Sequence, residues 1–345
     1  MPPFYLRTAA LLSMLLVAAA GPWPAHAQMP AADPPAAPVQ PFADWLAELK
    51  EEALQRGISQ AILTDALDGI EPIPRVVQLD RSQPEFTLTF EEYITRVAPD
   101  HRIALGRKKL AQNRSLLNAV SRTYGVPPQV IVALWAIETD FGRLTGGFNV
   151  IPALATLAHD GRRSAFFRAE LFNALTILEQ GHIKPADMVG SWAGAMGQCQ
   201  FMPSSFLNFA VDSDGDGRKD IWTTRADIFA SAANLLAGNG WQRGWTWGRP
   251  VQLPDVFDLG VEGLDIRKPL MEWQALGIRR TDGRDLPKAE IDASLIMPDG
   301  PDGPVFLVYD NFRAILRWNR SDYFALTAGY LADRIAGKNT VIFAR

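Results

Sequence analysis

Val132 to Thr139 is an apolar run that reads as a helix, with Glu138 its one ionisable side chain; Phe141-Gly142 ends it. Desolvation disfavours a charged carboxyl, so a Glu in such surroundings should hold its proton to higher pH than usual. A proton held near neutral pH is what cleavage of a glycosidic bond requires. The other reading of the same stretch is a helix Glu that reaches solvent. Asp140 stands two residues on, so it points to a different helix face and reads as structural or capping.

Ser191-Trp192-Ala193-Gly194-Ala195-Met196-Gly197-Gln198-Cys199-Gln200-Phe201-Met202-Pro203-Ser204-Ser205 is rich in small residues, which let backbone approach a ligand closely. Ser191 and Gln200 bring polar side chains able to hold Glu138 or a sugar amide. The plainer alternative is a tight loop before a helix capped by Ser204 or Ser205. Cys199 is the one cysteine of the chain. No local histidine activates it, so it reads as a small buried residue.

Asp212-Ser213-Asp214-Gly215-Asp216-Gly217-Arg218-Lys219-Asp220 follows the start of an EF-hand loop. Acids at alternate positions converge on one hard cation, and Gly217 takes the sharp sixth position, with Arg218 after it. The twelfth position is Thr223, where a bidentate Glu is standard. A solvated acidic turn is the alternative.

The elements that must position these groups are mostly helical. Apolar residues recur at helical spacing in Trp45-Leu46-Leu49 and Ala61-Ile62-Ala66-Leu67, and helix dominates from Phe42 to about Ala119. Gly57-Ile58-Ser59 is a turn with Ser59 as N-cap. Gly125-Val126-Pro127-Pro128 starts the helix of Glu138, with Pro in its first turn. Arg163–Gln180, Asp227–Leu236 and Asn311–Ile335 read as further helices. Between them, about Arg249–Val308 is rich in Pro, Gly and Asp; Ser294–Met297 and Val305–Val308 predict a small β-subdomain with hairpins. The fold class is α+β, mainly α. Trp241, Trp245 and Trp247 precede the insertion and are expected to pack between subdomains rather than to line a sugar groove.

Arg7, the apolar Ala9–Ala20 and the small-x-small Ala25-His26-Ala27 predict a cleavable export signal over 1–27. Residues 28–41, rich in Ala and Pro, predict a disordered lead-in. The expected domain is 42–335, followed by a tail, 336–345. No cysteine lies near the cleavage site to take a lipid anchor, and no later run is long enough for a membrane helix. The formal net charge is −4 with no basic cluster, which leaves nucleic acid without an electrostatic footprint. A periplasmic location is expected.

In order and spacing, the stretches around Glu138 and Ser191–Ser205 resemble the lytic murein transglycosylase B family (glycoside hydrolase family 103). Leu79-Asp80-Arg81-Ser82-Gln83-Pro84-Glu85-Phe86, Phe90-Glu91-Glu92-Tyr93-Ile94, Asn311-Phe312 and Leu316–Tyr323 extend the likeness over nearly the whole mature chain. The resemblance implies a lysozyme-like core and cleavage of peptidoglycan glycan strands between N-acetylmuramic acid and N-acetylglucosamine, leaving 1,6-anhydromuramic ends. Glu138 would be general acid, then base. Tyr93, Arg162, Arg163, Ser191, Gln200 and Trp318 would contact substrate, the arginines through its carboxylates. Trp318 departs from the pattern, which has Tyr there in many relatives; an aromatic platform for a sugar ring remains. The cation loop would close through Asp227, giving Asp212, Asp214, Asp216, Arg218 and Asp227 as the site of a structural Ca2+, with no cofactor for the chemistry. Enzymes of cell-wall synthesis are candidate protein partners. A muramidase using water on the same fold, and a non-catalytic glycan-binding scaffold, are the alternatives.

Overall fold

A computed structural model describes residues 40–82 and 88–342. The export signal, nearly all of the lead-in, Gln83–Phe86 and the last three residues lie outside the described residues. The described chain begins with α1 (Phe42–Gln55), α2 (Gln60–Leu67), α3 (Pro74–Arg81), α4 (Phe90–Val97), α5 (Asp100–Gln112) and α6 (Arg114–Tyr124). Ser59 caps α2 by accepting the Ile62 N–H, and Thr89 and Glu92 form a reciprocal capping box at the start of α4. Gly125 closes α6 with a φ of 77°, a conformation that glycine adopts without strain.

α7 (Pro128–Thr139) follows, with Pro128 in its first turn. It is apolar on every side, so it must be enclosed. Val130–Ala136 are all buried, and α5, α6, α11 and α14 pack around them. Each large side chain removed from water there contributes about 1.5–3 kcal/mol. Next come β1 (Phe148–Asn149), α8 (Val150–His159), α9 (Ser164–Glu179), β2 (Val189–Gly190), α10 (Pro203–Phe209) and α11 (Arg225–Gly238). α10 starts at Pro203 without a serine cap. Ser204 instead binds Glu170 of α9 through its backbone N–H, 2.8 Å, and its hydroxyl, 2.6 Å.

The chain then forms β3 (Gly248–Gln252), β4 (Lys268–Pro269), α12 (Leu270–Ala275), β5 (Arg279–Arg280), β6 (Asp292–Ile296) and β7 (Val305–Val308). The strands make one antiparallel sheet in the order β4-β6-β7-β3-β5. Opposite β6, Ser294 pairs Val308, Leu295 pairs Leu307 and Ile296 pairs Phe306. β7 is buried throughout because its alternating side chains serve two cores. Phe306 and Val308 join the helical core, while Val305 and Leu307 join a smaller one with Trp273, Leu295 and Tyr309. Trp247 packs at this junction, tilted against Phe306 and so close to Gly329 that a Cβ there would lie 2.3 Å from its ring. Trp241 is buried as well, which fits packing rather than a sugar groove for these two rings. α13 (Asp310–Trp318) and α14 (Asp322–Ile335) return to the helical body. They are separate helices, because Asn319 is extended and Ser321 caps α14.

Candidate active site

α7 ends abruptly. Asp140 and Phe141 both take positive φ, 50° and 61°, before Gly142 at 84°. Thr139 Oγ1 accepts the Gly142 N–H at 3.0 Å, and Asp140 pairs with Arg143 at 2.7 Å and Arg102 at 3.6 Å. Asp140 is thus a capping residue turned to arginines. Glu138, in the last turn, is 6% exposed. Burial pushes its carboxyl up to about 8, against the opposing pull of one hydrogen bond from Trp318. At neutral pH it carries a proton.

Trp318 closes α13 and donates its indole N–H to Glu138 Oε1 at 2.8 Å. Its ring meets Phe201 edge to face, with centroids 5.3 Å apart. The position where the resemblance has a hydroxyl therefore keeps a donor, now on an indole. Tyr93 of α4 is buried, and burial together with the Glu138 charge pushes its phenol upward. The same causes raise the Cys199 thiol, which donates to the Ile228 carbonyl at 3.2 Å. Cys199 is a buried packing residue that keeps its proton.

The Gly-rich loop folds back on itself. Ser191 N–H donates to the Ala195 carbonyl at 2.8 Å, and Met196 and Phe201 exchange backbone bonds of 2.8 and 3.0 Å. Close approach demands the glycines here: a Cβ on Gly197 would lie 2.6 Å from the Ile221 carbonyl oxygen. Ser191 Oγ accepts the Ala195 N–H at 3.0 Å. Gln200, at φ 50°, donates its amide to the Thr145 carbonyl at 3.1 Å and the Gly197 carbonyl at 2.9 Å. Its amide nitrogen ties the loop to the segment after α7.

Arg162 and Arg163 both meet an internal partner. Asp80, fully buried on α3, accepts from Arg163, and Arg162 Nη1 lies 3.5 Å from its other oxygen and donates to its carbonyl at 2.7 Å. A buried carboxylate needs such partners, so the pair neutralises an internal charge. Asp80 was visible in the sequence only as a charge in a family-like stretch.

The acidic loop brings carboxylate oxygens of Asp212, Asp214 and Asp227 within 4.8 Å of one another. Burial first, then Asp214 and Asp212, push the Asp227 carboxyl upward. Asp227 also holds the loop shut by accepting the Ser213 and Asp220 N–H groups, each at 2.7 Å. Three converging hard oxygen donors fit a divalent cation. Asp216 stands apart from this trio, accepting the Arg218 N–H at 2.8 Å and pairing with its guanidinium at 3.1 Å. Of the five expected residues, Asp212, Asp214 and Asp227 are those whose carboxylates converge.

A family model described as the transglycosylase SLT domain matches residues 41–333. Membrane-bound lytic murein transglycosylase B of Escherichia coli (strain K12) is 32% identical over 238 residues, which are 65% of this chain and 61% of that protein. The chain thus spans about three fifths of the length of that curated relative. The crystal structure of SltB3 from Pseudomonas aeruginosa, in complex with NAG-anhNAM-pentapeptide, superposes with a TM-score of 0.86 at 43% identity, covering 89% of this chain and 82% of SltB3. The Escherichia coli lytic transglycosylase Slt35 in complex with calcium superposes with a TM-score of 0.72 at 28% identity, covering 86% of this chain and 93% of Slt35. With its buried, protonated Glu138 at the end of α7 and a family match along nearly all of its described length, the chain belongs to the transglycosylase SLT domain family.

Proposed function

We propose that this protein is a peptidoglycan lytic transglycosylase, cutting the β-1,4 bond between N-acetylmuramic acid and N-acetylglucosamine. One observation carries the reading: Glu138 is buried in the last turn of α7 and accepts the Trp318 indole N–H at 2.8 Å, in surroundings that push its carboxyl up to about 8. Family membership and the fragments bound by SltB3 support the substrate class. Protonated Glu138 gives its proton to the bridging oxygen as the bond to the muramoyl C1 breaks. The substrate's acetamido group shields the cationic centre. The Glu138 carboxylate then takes the proton of the muramoyl 6-hydroxyl, whose oxygen bonds to C1 and closes the 1,6-anhydro ring. Glu138 ends protonated, and no water is consumed.

The neutral Tyr93 phenol and the Trp318 ring flank this carboxyl and are assigned to the sugar-binding groove, as is Ser191. Gln200 shapes the loop, and the exposed half of Arg162 is what remains for a substrate carboxylate. Asp212, Asp214 and Asp227 are assigned to a structural Ca2+, supported by the calcium complex of Slt35. Residues 42–335 act as one catalytic domain with the 249–308 insertion. No helix among the described residues is long and apolar enough to cross a membrane; with the export signal read in 1–27, we assign the protein to the periplasm. Digestion of purified murein sacculi tests the reading. Soluble fragments with 1,6-anhydromuramic ends are expected from the wild type and not from Glu138→Gln; equal release by the variant would overturn it.

A further inference from the structure

We propose that Gln198 is a positioning residue that fixes the rotation of the last turn of α7, and so the aim of the Glu138 carboxyl; this rests on Glu138 being the proton donor of the proposed reaction. Gln198 makes hydrogen bonds in two directions. Toward α7, its side-chain oxygen accepts the Trp135 indole N–H at 2.8 Å, and its backbone carbonyl accepts the Thr139 hydroxyl at 3.1 Å. Away from α7, its backbone N–H donates to the Ile221 carbonyl at 2.8 Å, and its side-chain amide donates to the Trp222 carbonyl at 2.7 Å.

The two α7 contacts bracket Glu138. Trp135 lies nearly one turn before it and Thr139 directly after it, so the pair fixes both the twist and the end of that turn. This end needs holding, because Asp140 and Phe141 both leave the helix through positive φ. The Trp135 ring is further set edge-on between Phe141 and Phe229, with centroids 5.5 and 5.1 Å away. The far anchor is stiff as well. Asp220 accepts the Trp222 and Thr223 N–H groups at 2.8 and 2.9 Å, and buried Asp227 accepts the Asp220 N–H. Gly142 completes the clamp: a Cβ there would lie 2.3 Å from the Gln198 side-chain oxygen, so the chain leaving α7 is pressed onto this amide.

A glutamate carboxyl stands about 6 Å from its helix axis, so a rotation of roughly 10° displaces it by about 1 Å. Displacements of that size can cost on the order of 100-fold in rate. Gln198 touches no reacting atom; its effect reaches the chemistry through α7.

The test compares wild type, Gln198→Met, Trp135→Phe and the double variant on purified glycan strands, with thermal melting in parallel. Gln198→Met keeps the side-chain length and removes the side-chain hydrogen bonds to Trp135 and Trp222, leaving the backbone ones. It is expected to lower kcat by about 10–100-fold with KM changed less than about threefold, in protein that is folded at the assay temperature. Trp135→Phe, which removes the indole N–H and keeps an aromatic ring, is expected to lower kcat by about 5-fold or more with KM unchanged, and the double variant to be within about twofold of Gln198→Met. Wild-type kcat in both single variants, a rise in KM alone, or a loss that only follows the unfolded fraction would overturn the proposal. If Gln198→Met does not fold, Trp135→Phe alone decides, wild-type kcat being the overturning result. Failure of the wild type to release anhydromuramic product is a separate result that refutes the underlying reaction and not the clamp.

Discussion

The indole N–H of Trp318 donates to Oε1 of Glu138 at 2.8 Å, joining residues 180 positions apart in the chain. Hydrogen bonding to a carboxylate favours its charged form, so this bond tempers the upward push of burial. Trp318→Phe keeps the ring and loses the donor. The alkaline limb of kcat/KM against pH, which reports Glu138 losing its proton, is then expected to move up by about 1 pH unit. A limb that stays in place would mean that Trp318 acts only as an aromatic surface.

Glu138→Gln is expected to abolish turnover by at least ~100-fold, since the same carboxyl serves both proton transfers. The protein should also become more stable in alkaline solution. The carboxyl of the unfolded chain loses its proton near the ordinary glutamate value of 4.5, while burial pushes the folded one up to about 8. The folded state therefore binds more protons across that window, and the stability this provides at low pH is lost as pH rises through it. The neutral amide has no such loss. Melting temperatures of variant and wild type measured at pH 5 and pH 9 should diverge in the variant's favour at pH 9; an equal gap at both pH values would contradict the burial argument.

Gln200→Ala and Ser191→Ala probe the Gly-rich loop separately. Gln200 donates to the Gly197 carbonyl of the loop and the Thr145 carbonyl after α7, and leaving such groups unpaired costs roughly 1–3 kcal/mol. Its variant should melt lower and lose activity together. Ser191→Ala is expected to lower activity with a smaller change in melting. Wild-type activity and melting in both would reduce the two side chains to bystanders.

Calcium is expected to raise the melting temperature without being needed for chemistry. At ~100-fold excess over Kd, binding to the folded state alone adds roughly 2.7 kcal/mol, a shift of about 5 °C. Asp214→Ala should remove the shift, because this carboxylate converges with Asp212 and Asp227; Asp216→Ala should reduce it less, because Asp216 faces Arg218. Scanning calorimetry in millimolar calcium and in chelator decides, and superposed curves would leave the loop an acidic turn.

Glu138 was legible because polarity is informative inside an apolar helix, and the signal is local. The hairpin of Ser294–Ile296 with Val305–Val308 was legible for the same reason: short apolar runs between turn residues. β4 and β5, each two residues long, carry no periodicity to read. The partners of charged groups were not legible. The resemblance gave Arg162 and Arg163 as substrate contacts, and nothing in their own stretch showed that Asp80, more than eighty residues earlier, is also their partner. The resemblance gave Trp318 as a sugar platform, and nothing local said that its N–H points at Glu138. Gln198 went unassigned for a related reason: its meaning lies in contacts with α7 and with Trp222, not in its own stretch.

Digestion of peptidoglycan in 18O-labelled water tests the central claim most directly. If Glu138 directs the substrate's own 6-hydroxyl to C1, the muramic ends are 1,6-anhydro, lighter by one water than reducing ends, and carry no label. Reducing muramic ends labelled with 18O as the main product would contradict it and make the protein a muramidase.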